Sequence, residues 1–285
     1  MGNRLSGKVA VVTGGNRGIG RAIAERLADE DAMVVVGDSR DDRSADSGSV
    51  ERLTFMSLDV TKEASVRAFI NEVLQTFGSI DVLVNNAGII VHKSIDEQTV
   101  EDWDRLMAVN LRGPFLMAKY VAPEMRRIGS GAIVNIGSVE GFVVNPWHTA
   151  YAATKAGVHG LTLGLAVDLG PDGIRCNTVC PGWIDTDLNR AYVELHPDRS
   201  LVERELAQLH PVGRIGSPKE IANAVLWLAS DESSFVSGEM IAVDGARTKK
   251  VSLPSILDEE YRAKLTKHSA SSETRTPTPS TSRLL

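Results

Sequence analysis

Val9-Ala10-Val11-Val12-Thr13-Gly14-Gly15-Asn16-Arg17-Gly18-Ile19-Gly20 lies close to the N-terminus, a short apolar, β-branched run that breaks into glycines. Four consecutive apolar residues predict a strand buried on both faces, as in parallel sheets. Arg21 to Asp29 then carry Ile23, Ala24, Leu27 and Ala28 at helical spacing, so a helix starts where the glycines end. A strand, a glycine-rich turn and a helix make a cradle for phosphate. Gly14, Gly18 and Gly20 let the backbone approach a pyrophosphate, and Asn16, Arg17 and Ile19 line the same turn. The helix N-terminus adds free N–H groups and a partial positive charge. The spacing is Gly-x-x-x-Gly-x-Gly, unlike the commonest dinucleotide fingerprint, and no Lys-Ser/Thr pair follows as a P-loop requires.

Outward from this turn, strands and helices alternate. Met33 to Val36 is a second strand ending in Gly37-Asp38. A carboxylate at that tip accepts hydrogen bonds from an adenosine ribose and repels a 2′-phosphate. Arg17 and Arg40 pull the other way, since either reaches a 2′-phosphate. The balance prefers NAD, with NADP as the second choice. Residues 39–50 are polar and turn-rich, an irregular link. Leu53 to Leu58 is a third strand ending in Asp59-Val60, whose acid can face an adenine amino group. Thr61 is expected to cap the next helix, with Val66, Phe69, Ile70, Val73, Leu74 and Phe77 as its inner stripe and Gly78 as its end. Ile80 to Val84 is the fourth strand. Behind it, Asn85-Asn86-Ala87-Gly88 offers small residues over which a cofactor can lie and amides that tie strands together.

A helical stretch runs from about Thr99 to Met125, with Thr99 and Asp102 as its start signal. Pro114 inside it lacks an N–H and clashes with the Asn110 carbonyl four residues back. A kink that frees that carbonyl to hold a water is expected, with a plain packing kink as the alternative. Ala132 to Ile136 is a fifth strand, ending in Gly137-Ser138; a loop to Thr149 leads to a helix with Tyr151 and Lys155. Spacing of i,i+4 puts that pair on one helix face, with Cβ atoms about 5–6 Å apart. The Ser138 hydroxyl can meet them at the mouth of a parallel sheet, where open α/β folds bind ligands. A phenol beside a cation is a candidate proton donor, because the positive charge favours phenolate. Each feature alone has a bland reading, a turn serine or a solvated helix face.

Gly173 to Val179 is a sixth strand, followed by Cys180-Pro181-Gly182-Trp183-Ile184-Asp185-Thr186. Residues 187–212 hold few strong signals and read as a mobile substrate lid, with Trp183, Leu188 and Tyr192 as apolar lining. Glu140, Trp147 and His148 would complete a mixed polar and aromatic pocket, although for His148 a surface-loop position is the simpler reading. Ser217-Pro218-Lys219-Glu220 is a capping box that starts a helix to Ala229. Met240 to Val243 is the last strand. Residues 1–250 therefore read as one domain. In the extension 251–285, residues 256–267 suggest a short polar helix, and Ser269 to Leu285, rich in Ser, Thr and Pro, suggests disorder.

The 285 residues are 42% hydrophobic, with net charge −6 and a pI of about 5.6. That supports one large α/β core and no basic field for nucleic acid or an anionic membrane. No apolar run approaches the ~20 residues of a membrane span, and Met1 to Lys8 lacks the apolar core of a signal peptide. Cys176 and Cys180 would share a strand face, too far apart to bridge. No zinc-type partners stand near them, so a cytoplasmic protein without metal is expected.

Taken together, Thr13-Gly14-x-x-x-Gly18-x-Gly20, Asp59, Asn86-Ala87-Gly88, Asn110, Ser138, Tyr151-x-x-x-Lys155 and Pro181-Gly182 resemble the short-chain dehydrogenase/reductase family in order and rough spacing. The likeness covers about residues 5–246. Alternation of elements already implies a doubly wound α/β fold; the resemblance makes it a Rossmann-type, seven-stranded, mainly parallel sheet with helices on both faces. It implies that Tyr151 transfers the substrate hydroxyl proton, that Lys155 lowers the tyrosine pKa and bonds the nicotinamide ribose, and that Ser138 orients the substrate oxygen. By the same resemblance Asn110 holds a water in a proton relay, Ile184 and Thr186 contact the nicotinamide carboxamide, and Pro181-Gly182 belongs to the cofactor site. Helices matching 99–125 and 151–165 would build a homotetramer. The 39–50 link and the tail depart from the family pattern.

The expected activity is NAD(P)-dependent interconversion of a secondary alcohol and a ketone on a small molecule. A dinucleotide-binding sensor or scaffold is the rival, but such proteins have usually lost the tyrosine or lysine. An epimerase would need a larger C-terminal substrate domain than the residues after Pro181 provide. The pocket residues fit sugars, polyols, oxoacyl groups and cyclic ketones alike.

Overall fold

In the computed structural model of the chain, the opening run forms strand β1 (Val9–Thr13), and every one of its residues is buried. The structure describes residues 3–39, 52–194 and 196–250, with only the backbone at 188, 191 and 192. Most of the 39–50 link, Arg40 and everything expected beyond 250 lie outside those residues, as do the side chains of Leu188 and Tyr192.

Helix α1 (Gly18–Ala28) leads to β2 (Met33–Asp38), then β3 (Leu53–Ser57), α2 (Glu63–Phe77) and β4 (Val82–Asn85). After α3 (Val100–Met107) and α4 (Gly113–Ile128) come β5 (Gly131–Ile136), α5 (Thr149–Leu169) and β6 (Ile174–Pro181). Helices α6 (Asp187–Glu194), α7 (Arg199–Gln208) and α8 (Pro218–Ala229) precede β7 (Met240–Val243). Among the described residues the seven strands form one sheet in the order β3-β2-β1-β4-β5-β6-β7, every pair parallel. Between β1 and β4 the winding reverses. That reversal opens a crevice at the carboxyl ends of the strands, the place where such sheets bind ligands.

Alternation along the strands sends side chains to two cores. Ala10, Val12, Val34, Val84 and Val134 pack with Ile23 and Leu27 of α1 and Ile221 and Val225 of α8. Val9, Val11, Val35, Leu83 and Ile133 pack on the other face with Phe69 of α2 and Met117 and Val121 of α4. Fully burying one such side chain contributes about 1.5–3 kcal/mol, so continuous burial of β1 anchors the turn that follows it.

Three local expectations are corrected. Thr61 does not cap α2: Lys62 stands at that position, while the Thr61 hydroxyl and N–H both donate to Asp59 Oδ1. The helix expected over 99–125 runs as α3 and α4 joined by a π turn over Ala108–Arg112, with Pro114 in the first turn of α4. The widened turn accommodates its missing N–H, and this is the form the kink takes. Residues 187–212 contain two helices. The capping boxes at Thr99/Asp102 and Ser217/Glu220 are formed, and Gly78 ends α2 with φ 82°.

Candidate active site

The glycine-rich turn is held shut by Thr13 and Asn86. The Thr13 hydroxyl accepts the N–H groups of Asn86 and Ala87, each at 3.0 Å. Asn86 Nδ2 donates to the carbonyls of Thr13 at 3.0 Å and Gly14 at 2.9 Å. Gly14 has φ 65°, and a Cβ there would come to 2.8 Å from Ala87 Cα. A Cβ on Gly20 would strike the Gly14 carbonyl and the Asn86 amide. Only hydrogen fits at these two positions. No side chain caps α1 at Arg17, so its first N–H groups face the crevice without a capping oxygen. Asp38 at the tip of β2 accepts the Asn16 N–H at 3.3 Å. Thr186 approaches the turn from the far side, its Cγ2 at 3.8 Å from where a Gly18 Cβ would stand.

Ser138 follows β5, and Tyr151 and Lys155 occupy the first two turns of α5. The Ser138 side chain is near enough to the Tyr151 phenol to act on its ionisation. Lys155 Nζ lies 5.6 Å from the centre of the Tyr151 ring and donates to the Ile136 carbonyl at 2.8 Å. Asn110 sits in the π turn. Its Nδ2 donates to the Ile89 carbonyl at 2.9 Å and to Thr154 Oγ1 at 3.2 Å, and its Oδ1 accepts the Ile89 N–H at 2.9 Å. Thr154 in turn donates to the Tyr151 carbonyl at 2.7 Å. A Cβ at Gly88 would stand 3.6 Å from Asn110 Oδ1 and 3.9 Å from Lys155 Nζ, which puts those two residues beside one backbone position just after β4.

Over residues 14–247 the chain matches the family model described as enoyl-(acyl carrier protein) reductase. It belongs to the short-chain dehydrogenase/reductase family. The chain is 41% identical over 248 residues to the 3-oxoacyl-[acyl-carrier-protein] reductase of Thermotoga maritima, covering 85% of this chain and 98% of that one. Ligand-free aldohexose dehydrogenase of Thermoplasma acidophilum superposes with a TM-score of 0.83 at 39% identity, over 90% of this chain and all of that one. A gluconate 5-dehydrogenase of Burkholderia cenocepacia, in complex with NADP and tartrate, superposes at 0.81 with 39% identity, over 87% and 98% of the two chains. These relatives are named as reductases and dehydrogenases, and the chain is an oxidoreductase of the kind that uses a nicotinamide dinucleotide.

Burial dominates the electrostatics in this short-chain dehydrogenase/reductase. It drives the Tyr151 phenol upward, the Glu140 charge adds to that rise, and Ser138 opposes it. Burial also lowers Lys155 to about 8, against a smaller opposing effect of Cys180. In both groups it disfavours the charged form. Behind Lys155, Cys180 Sγ stands 3.3 Å from His159 Nε2. Cys176 and Cys180 are free and buried.

The remaining expected residues divide. Pro181 ends β6, and the Gly182 N–H donates to the Val243 carbonyl at 3.1 Å. Ile184 is buried and bridges to Gly216. Val60 is buried under the start of α4, with its Cγ2 at 3.0 Å from where a Gly113 Cβ would sit. Asp59 is taken up by Thr61 and by an ion pair with Lys62 at 3.0 Å. Trp183 is half-buried, whereas Trp147 is 63% exposed with φ 66°. His148 is no surface histidine: it is 6% exposed and bonded to Glu140 and His92. His92, Asn145 and Thr154 were missed. His92 lies 56 residues from its partner, a separation at which no local pattern marks a contact.

Proposed function

We propose that this protein interconverts a secondary alcohol and a ketone with a nicotinamide dinucleotide, Tyr151 serving as proton donor and acceptor. The observation that carries the reading is a buried Lys155 that bonds the Ile136 carbonyl at the open end of β5 and lies 5.6 Å from the Tyr151 ring, on which the Ser138 side chain also acts. The cradle suits a dinucleotide: Gly14 and Gly20 admit no side chain, and the N-terminus of α1 has no capping oxygen. When bound, the nicotinamide supplies or takes the hydride. Gly14, Asn16, Arg17, Gly18, Ile19 and Gly20 would hold the pyrophosphate, and Asp38 the adenosine ribose. Asn86, Ala87, Gly88, Pro181, Gly182, Ile184 and Thr186 would line the nicotinamide half. In reduction Tyr151 gives its phenolic proton to the substrate oxygen, and in oxidation it takes that proton back. Ser138 orients the same oxygen. Lys155 holds the far end of the site through the Ile136 carbonyl, and Asn110 fixes α5 through Thr154.

Tyr151→Phe keeps the ring and removes the transferable proton. Turnover of alcohols and ketones is expected to fall by roughly 100-fold or more, with NADH binding by fluorescence titration unchanged. Near-normal turnover would overturn the mechanism. Tight binding without turnover in the wild-type protein would favour a dinucleotide sensor instead.

NAD is the preferred cofactor in this reading, since the Asp38 carboxylate stands at the tip of β2 where a 2′-phosphate would meet it. Asp38→Ala should raise KM for NAD much more than KM for NADP; equal changes count against the preference. We also propose assembly as a homotetramer through the helices matching 99–125 and 151–165.

A further inference from the structure

The loop after β5 folds around a buried carboxylate that the proton transfer at Tyr151 does not consume. Glu140 is 8% exposed. Its Oε1 receives Asn145 Nδ2 at 2.8 Å, and its Oε2 receives His148 Nδ1 at 2.7 Å, with the second oxygen 3.0 Å from the same nitrogen. A carboxylate accepts, so His148 donates from Nδ1. His148 Nε2 lies 2.6 Å from His92 Nδ1 and shares a hydrogen bond with it. The chain His92–His148–Glu140 thus runs from an exposed residue inward.

This chain runs beside the proposed proton donor. The His148 ring meets the Tyr151 ring edge-on, with centroids 6.0 Å apart and planes at 72°. The Glu140 N–H donates to Ser138 Oγ at 3.1 Å, so one residue holds the serine with its backbone and a charge with its side chain. Asn145 also accepts from Arg247 Nη2 at 2.7 Å, which ties the loop to the segment after β7.

We infer that His148 and His92 are positioning residues for Tyr151, holding the Glu140 carboxylate in the place from which its charge bears on the phenol. The inference rests on the reading of Tyr151 as the group that moves the proton. A negative charge beside a phenol opposes its ionisation, in line with the upward push of Glu140 on Tyr151. The other titratable or charged groups around the site are Lys155 and His159 on α5, Cys180 on β6, and Asp244 and Arg247 after β7. None of them is altered in the variants below.

The experiment is the pH profile of kcat/KM for alcohol oxidation, with NAD or NADP saturating, where the alkaline-going limb reports loss of the Tyr151 proton. Glu140→Gln removes the charge and is expected to move that limb down by about one pH unit. His92→Phe keeps a ring but loses the outer hydrogen-bond partner of His148, and should move the limb the same way by less. His92→Asn restores a polar partner there and should bring the limb back. Superimposable limbs in wild type, Glu140→Gln and His92→Phe would overturn the inference. If Glu140→Gln does not fold, the contrast of His92→Phe with His92→Asn decides, because His92 is exposed. An unmoved limb with an inactive Tyr151→Phe sinks only this inference; an active Tyr151→Phe sinks the reaction reading beneath it.

Discussion

Lys155 donates to the Ile136 carbonyl from a site that is 5% exposed, and burial brings its pKa from 10.5 to about 8. The sign of the linkage follows directly. In the unfolded chain the ammonium persists up to the ordinary lysine value, whereas the folded site resists it. Below pH 8 folding therefore carries a full penalty, on the order of 3 kcal/mol. The penalty fades as pH rises from about 8 to 10.5. Comparing wild type with Lys155→Met by calorimetry cancels most other titrations. The difference in Tm is expected to shift in favour of the wild type between pH 7 and pH 10; a difference that does not change with pH counts against the buried charge. At this scale Ser138, Tyr151 and Lys155 were legible, because strand and helix periodicity alone bring them to one sheet end. His148 was misread, since its burial depends on Glu140 and on His92, which is far away in sequence.

Helices with strong local signals came out as written. The Thr99/Asp102 and Ser217/Glu220 boxes each satisfy backbone groups within one turn, and such bonds need nothing from the rest of the chain. Thr61 failed as a cap because a nearby competitor existed. Asp59 accepts its hydroxyl, and a hydroxyl turned to a carboxylate is no longer aimed at the helix. Pro114 was correctly read as a disturbance, but its outcome was not. A π turn places the proline in the first turn of α4 and swings Asn110 toward Ile89 and Thr154. Which of several deformations a proline induces is settled by the neighbours that the freed groups can reach.

The surface left on α3, α4 and α5 bears on assembly. Trp103, Phe115, Leu163 and Val167 are exposed there, Val167 at 76%. Apolar side chains on faces proposed for subunit contacts should be covered in solution. Light scattering of the purified protein is expected to give four times the 30.7 kDa chain; a monomer mass would exclude the tetramer. Among the described residues no helix is long and apolar enough to cross a membrane. At the scale of the whole molecule, amino-acid order alone determined the alternation of strands and helices, the glycine turn and the tyrosine–lysine face, because each depends on periods and turns spanning a few residues. Tertiary structure alone decided the His92–His148–Glu140 chain, the turn that aims Asn110 and the burial of Lys155. Those depend on desolvation and on contacts between segments distant in the chain, and neither is encoded in any local pattern.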